Sequence, residues 1–313
     1  MRHPASMFRT GCGLKKQLSS CLKTTVQRQE RFNMKTSVRR ITIFATLALA
    51  AFFALTLISP VQADTLDEVK ARGTLKVGTE MQFAPFDYLE NGQQTGFNKA
   101  LFAEVGKALG VEVQFIDLPW PSVLPGLEAG KYDMVAGPLI ITEARMKRYH
   151  FTSPIAESTV ALLARAGDNS MQAPSDLAGK SAGAGQGSAQ LAALEDYVAG
   201  LDQPVEIREY VDNNQAYADL AAGRIDAVAN SLPNIAYIAQ QRSSQFKLVT
   251  PGFGPQSWFA YVGRNGDDAD SLVNAVDQVI DKLRASGRLA ELQEKWIGES
   301  MDVPAEPVPA EGT

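Results

Sequence analysis

The stretch LKVGTEMQFAPFDYLENGQQTGFNKALFAEVGKALG, residues 75–110, decides the fold class. Leu75-Lys76-Val77-Gly78-Thr79 reads as a buried strand, and Asn98 to Leu109 reads as a helix. That helix carries Leu101, Phe102, Val105 and Leu109 on one face, at i, i+4 and i+8. Val111 to Asp117 then alternates apolar and polar residues, the period of a strand. Strand, helix, strand is the unit of an α/β protein. The rhythm continues outward with a short helix over Pro121 to Ala129 and a strand over Asp133 to Ala136. It restarts at Ser181 to Gly185, with helices over Ser188 to Tyr197 and Asn213 to Ala222 and strands over Val205 to Tyr210 and Ala227 to Asn230. Two such runs imply two α/β lobes, which suits 313 residues at about 100–200 per domain. A strand over Trp258 to Arg264 and helices over Asp268 to Ser286 and Arg288 to Trp296 follow. The last stretch, 301–313, is rich in Pro and Glu and is expected to be a disordered tail.

The first 63 residues differ in character. They hold ten of the 30 basic residues and a single acid, Glu30. Lys35, Arg39 and Arg40 precede an uncharged apolar run from Ile41 to Ile58, and Val61-Gln62-Ala63 ends in small residues. A run of that length could just span a bilayer as an anchor. The basic start and cleavable end favour a secretory signal peptide removed after Ala63, so a periplasmic location is expected. Met34 begins a better signal peptide than Met1 does, and is expected to be the true start.

Removing that segment leaves 30 − 10 = 20 basic and 35 − 1 = 34 acidic residues, a net charge of −14. So acidic a chain argues against nucleic acid or anionic lipid as partner. Both cysteines, Cys12 and Cys21, lie within the segment, which excludes disulfides, thiolate ligands and Cys nucleophiles from the remainder. His150 is then the sole histidine, so the common zinc sites are excluded, and neither G-x-S-x-G nor G-x-x-x-x-G-K-[ST] occurs. No cofactor or metal is expected.

Groups suited to holding a small ligand are present. Gly185-Gln186-Gly187-Ser188 follows a strand and opens a helix, a geometry that aims free backbone N–H groups at an anion or simply makes a tight turn. Thr142 and Glu143 read as an N-cap and first-turn acid, with Arg145 one turn in, either on a solvated face or clamping a carboxylate. Phe83, Trp120 and Trp258 are aromatics near strand ends, where packing and pocket lining compete.

The order of these segments resembles the periplasmic solute-binding proteins of ABC importers, of the polar amino-acid class. The resemblance runs from about Leu75 to Gly298. It is carried by residues 75–110, WPSVLPGLEAGKYDMVAG, ITEARMKRYHFTSP, GKSAGAGQGS, AAGRIDAVAN and LAELQEKWIG, in that order. It implies the two-lobed type II binding-protein fold with two hinge crossings, near Ala156 to Thr159 and Pro251 to Ser257. Lobe 1 would be 64–156 plus 258–300, and lobe 2 would be 157–257. It implies a receptor, not an enzyme, that acts as a monomer and docks on an ABC permease. By position, Arg145 matches the ligand-carboxylate arginine, Trp120 and Phe83 match stacking aromatics, and Glu80 matches an acidic pocket position. Ile140, with Ser188 and Ala189 at a helix start, matches backbone donors to the carboxylate.

The departures are as informative. Pro138 has no N–H and Ile140 no hydroxyl where the family offers small or hydroxyl residues. Ser231 stands where the family has an aspartate for the α-ammonium, and Asn98-Lys99-Ala100 replaces an acidic pattern. The expected ligand is thus an amino acid or a related small carboxylate, with Glu80 or Asp212 as substitute anions if it carries an ammonium. Two alternatives stay open: an enzyme resembling cyclohexadienyl dehydratases, with Glu80 as acid, and a sensor or accessory protein.

Overall fold

In the computed structural model, residues 64–310 are described. The signal segment and the start at Met34 lie outside the described residues. The first helix, α1 (Thr65–Arg72), is capped by Asp64, whose carboxylate accepts from Asp67 N at 2.9 Å. Strand β1 (Thr74–Thr79) then enters the first sheet, and a small antiparallel ribbon follows: β2 (Gln82–Phe83), β3 (Asp87–Glu90) and β4 (Gln93–Thr95). Gly96, at φ 124°, takes a conformation closed to larger residues and opens α2 (Phe97–Leu109).

The remaining elements of lobe 1 are β5 (Glu112–Asp117), α3 (Trp120–Glu128), β6 (Met134–Ile140), α4 (Glu143–Met146), β7 (Tyr149–Phe151) and β8 (Ala156–Glu157). Lobe 2 contains β9 (Val160–Arg165), β10 (Ser181–Gly185), α5 (Ala189–Val198), β11 (Glu206–Tyr210), α6 (Asn213–Ala221), β12 (Ala227–Ser231), α7 (Leu232–Gln241) and β13 (Phe246–Phe253). The chain then returns to lobe 1 as β14 (Trp258–Arg264), α8 (Asp267–Ala285) and α9 (Arg288–Trp296).

The two sheets repeat one plan. The first has the order β5-β1-β6-β14-β7, with β8 paired to the start of β14, and the second has β11-β10-β12-β9-β13. In each, three parallel strands meet one antiparallel strand that comes from across the molecule: β14 beside β6, and β9 beside β12. Helices cover both faces of both sheets. In lobe 1, Leu101, Phe102 and Val105 of α2 pack with Leu272 and Val276 of α8 on one face, and Val123 and Leu127 of α3 cover the other. Burying each such side chain contributes roughly 1.5–3 kcal/mol. Lobe 2 buries Leu191 and Leu194 of α5 on one face and Tyr217, Leu220 and Ile235 on the other.

The chain passes between the sheets twice, after β8 and after β13. The crossings are tied together: Ser158 N donates to Ser257 O at 2.8 Å, and their hydroxyls share a hydrogen bond of 2.9 Å.

The reading of 301–313 as a disordered tail is corrected for its described part. Residues 301–310 form no helix or strand, yet they lie against lobe 1 with Val303 and Ala310 buried. Met301 N donates to Gln293 Oε1 at 3.0 Å, Arg284 to Pro304 O at 3.4 Å, and Ala310 N to Ile141 O at 3.1 Å. Backbone hydrogen bonds and two small apolar anchors replace the apolar periodicity that would have revealed this order in the sequence.

Candidate functional site

In each sheet the strand order reverses beside the first of the three parallel strands, β1 or β10, and open α/β sheets form their crevice at the carboxyl ends of strands flanking that switch point. The residues that leave those ends face one another here. Glu80 follows β1, Trp120 follows β5 at the start of α3, and Ile140 ends β6. Gly185 ends β10, Tyr210 ends β11 and Asn230 lies near the end of β12. They line one cavity together with Phe83, Gly137, Pro138, Arg145, Ser188, Gln190, Val211, Asn213 and Phe259. About 530 Å³ there is not filled by protein, a figure that includes open solvent at its mouth.

Six of the eight residues singled out from the sequence line this cavity: Glu80, Phe83, Trp120, Ile140, Arg145 and Ser188. Ala189 instead lines an adjoining groove with Thr142, Arg145 and Phe253. Ser231 lines neither. It is fully buried, its Oγ accepting from Gln190 Nε2 at 2.9 Å and its N–H donating to Asn230 Oδ1 at 2.8 Å.

Thr142 Oγ1 accepts from Arg145 N at 3.2 Å, so the N-cap of α4 fixes the arginine's place. The guanidinium donates to Ile140 O at 3.0 Å and, among the described residues, makes no ion pair. Burial pushes it down to about 10, still cationic at neutral pH. A half-buried guanidinium with most of its five donors uncommitted leaves room for something anionic to complete it. Across the cleft, Ser188 caps α5 by accepting from Leu191 N at 3.0 Å. The N–H groups of Ala189 and Gln190 have no partner inside the helix, which leaves two donors at its positive end beside Arg145.

Glu80 is 4% exposed and, among the described residues, its carboxyl has neither a hydrogen bond nor a cation. Burial first, and then the charges of Asp212, Asp117 and Asp87, push it up to about 8. Its place is set from behind, where Asp117 Oδ1 accepts from Met81 N at 3.0 Å and Leu118 N donates to Thr79 O at 2.9 Å. Deeper still, Asp87 is fully buried; its Oδ2 accepts from Thr79 Oγ1 at 2.5 Å and Asn98 Nδ2 at 2.6 Å, and Tyr261 donates to Asn98 Oδ1 at 2.7 Å. Burial raises Asp87 to about 7 against the pull of these donors.

Pro138 in a buried strand is accommodated because it has no register partner on either side: β6 pairs with β1 only through Met134 and Val135, and its pairing with β14 is irregular between Val135 and Leu139. Beneath the cavity Phe83, Phe86 and Phe259 form a cluster with ring centroids 5.1–5.8 Å apart.

Lobe 2 supplies residues that the sequence did not announce: Gln190, Tyr210, Asn213 and Asn230. Asn230 Nδ2 is committed to Tyr217 Oη at 3.2 Å and Asn213 Oδ1 at 3.5 Å. Gln190 is held by its Nε2, which leaves Oε1 as an acceptor in the cavity wall. Isolated polar residues have no period. The available signal was their place, Asn230 ending the apolar run of β12 and Asn213 opening α6.

The chain matches the family described as "Bacterial extracellular solute-binding proteins, family 3" over residues 75–191 and 191–299. It is 29% identical over 261 residues to the L-cystine-binding protein TcyJ of Escherichia coli (strain K12), covering 83% of this chain and 96% of that protein. Among solved structures it resembles an ancestral arginine-binding protein bound to glutamine, at 31% identity and a TM-score of 0.66. That match covers 73% of this chain and 99% of the other. It also resembles the ancestral amino acid-binding protein AncCDT-1, a precursor of cyclohexadienyl dehydratase. There the identity is 29% and the TM-score 0.67, over 75% of this chain and all of the other.

Proposed function

Because this chain belongs to the bacterial extracellular solute-binding proteins of family 3, we propose that it traps an amino acid or closely related small carboxylate between its lobes. It is the substrate-binding receptor of an ABC import system, the role of its named relatives. The observation that carries the ligand class is Arg145, a half-buried cation with no acid paired to it among the described residues, facing the open N–H groups of α5. The ligand carboxylate takes a charge-assisted pair from the guanidinium and further donors from Ala189 and Gln190. A cationic group of the ligand lies toward Glu80, which the nearby Asp212 and Asp117 charges favour as a cation-attracting corner. Phe83 and Trp120 flank the ligand's apolar part. Ser231 serves by orienting Gln190 and not by touching the ligand. The solute is taken up in the periplasm after export and cleavage behind Ala63, and the receptor acts as a monomer that delivers its cargo to an ABC permease.

A panel of amino acids, including L-cystine, L-arginine, L-glutamine and L-histidine, with hydroxy acids and amines as controls, tests this by thermal shift and native mass spectrometry. One carboxylate-bearing solute should bind at one per chain; a preference for amines without a carboxylate would refute the assignment.

A second reading rests on Glu80 alone. A carboxyl held near 8 is protonated at neutral pH and could act as a general acid toward a leaving hydroxyl. Incubation with prephenate or arogenate discriminates, since the receptor reading predicts no aromatic product.

A further inference from the structure

The lobes also touch directly, away from both the crossings and the cavity. Asn234, in the first turn of α7, reaches from lobe 2 to the β2–β3 turn of lobe 1, where its Nδ2 donates to Ala84 O at 2.8 Å. The asparagine is 1% exposed, and its Oδ1 is buried with no partner among the described residues. One turn further along α7, Tyr237 meets Tyr88 of β3, with ring centroids 5.9 Å apart and planes at 46°. Ala84, Tyr88, Asn234 and Tyr237 are all absent from the cavity wall. Their contacts can therefore be altered without changing the cavity lining.

We propose that α7 and the β2–β3 turn form a solute-independent latch, with the Asn234–Ala84 hydrogen bond at its centre and the Tyr88–Tyr237 contact at its rim. The latch biases the empty receptor toward the closed arrangement.

The physical case rests on where α7 begins. Ser231 ends β12 and precedes the helix, while Pro233 fixes its first turn, where a missing N–H costs nothing. The same short connection that sets the amide-lined wall of the cavity therefore aims Asn234 across the gap. Opening would return the Asn234 amide and the Ala84 carbonyl to water, so the latch is weak. It favours closure by at most about 10-fold, the worth of one ordinary hydrogen bond less the cost of burying the unpartnered Oδ1. A bias of that size leaves solute binding in control of the equilibrium, because closure driven by differential affinity is larger. It does raise apparent affinity, since less of the binding free energy is spent on closing an open receptor.

Single-molecule FRET on the solute-free full chain reads this bias. Dyes sit at Lys107→Cys on α2 and Glu195→Cys on α5, both exposed, with Cys12 and Cys21 replaced by Ser. The unaltered latch should give a resolvable closed population. Asn234→Ala should lower the closed-to-open ratio about 2–10-fold. Asn234→Asp should lower it further, because an ionised carboxylate would face the Ala84 carbonyl. Tyr237→Ala tests the rim without touching the buried amide and should shift the ratio in the same direction. Near-UV circular dichroism verifies that each variant is folded. A fully open solute-free protein, or an unchanged ratio in the folded variants, overturns the proposal. No solute enters the measurement, so its outcome is independent of the ligand assignment above.

Discussion

The two walls of the cleft differ in kind. Lobe 1 presents the guanidinium and the carboxyl of the cavity, Arg145 and Glu80, and its Phe83, Trp120 and Phe259 rings. Lobe 2 presents a helix N-terminus, Tyr210 and the amides of Gln190, Asn213 and Asn230, and among the described residues no carboxyl, guanidinium or ammonium group lines the cavity from its side. The two sheets share one strand plan, so the difference arises from the residues at the strand ends and not from the fold. On the proposed function it teaches a division of labour: lobe 1 selects the solute by charge, with Asp212 of lobe 2 adding to the field at Glu80, and the lobe 2 wall otherwise closes over it with neutral hydrogen bonds.

Breaking the lobe 1 charges should have the larger effect. Arg145→Ala should weaken binding of the carboxylate solute by roughly 30-fold or more in calorimetric titration, the scale of losing one partner of a buried charge pair. Arg145→Lys should recover only part of that, since an ammonium cannot make the bidentate pair. Next comes Glu80. A cationic ligand group needs it ionised, so affinity for such a solute should rise with pH and level off above about 8, and Glu80→Gln should abolish that rise. The fold has the opposite dependence. The carboxyls of Glu80 and Asp87 are raised in the folded protein, to about 8 and about 7, so the unfolded chain ionises first and stability of the empty receptor falls as pH climbs from about 5 to 8. Thermal denaturation across that range should have a shallower slope in Glu80→Gln; an identical slope would show that Glu80 ionises normally.

Lobe 2 should yield less. Gln190→Ala removes one neutral acceptor and the partner of Ser231, and should cost about 2–10-fold in affinity. A loss as large as that of Arg145→Ala would erase the distinction between the walls. The smallest effect belongs to the tail: deleting residues 302–313 should lower the melting temperature by a few degrees without changing which solute binds, because Val303 and Ala310 bury little area.

The sequence reading reached the charged wall better than the neutral one. The strand over Leu75 to Thr79 and the helix through Leu109 were legible because their apolar spacing matches one period each. Arg145 and Glu80 stood out because charges at strand ends need a reason. The runs that became β9, α7 and β13 were not assigned. VALLAR is almost wholly buried and has no alternation to separate strand from buried helix, while Pro233 in the first turn of α7 and Pro251 within the edge strand β13 read as breaks. Ser231 was singled out by position within the resemblance. The structure turns it away from the cavity because its hydroxyl and N–H are engaged by Gln190 and Asn230.

The central claim is that a solute carboxylate sits on Arg145. The most direct test is a four-way calorimetric comparison of the preferred amino acid and its carboxamide on the wild-type protein and on Arg145→Ala. The wild type should bind the carboxylate at least about 30-fold more tightly than the amide, and the variant should bind both weakly and nearly equally. If the variant discriminates between them as strongly as the wild type does, the carboxylate lies elsewhere and the account is wrong.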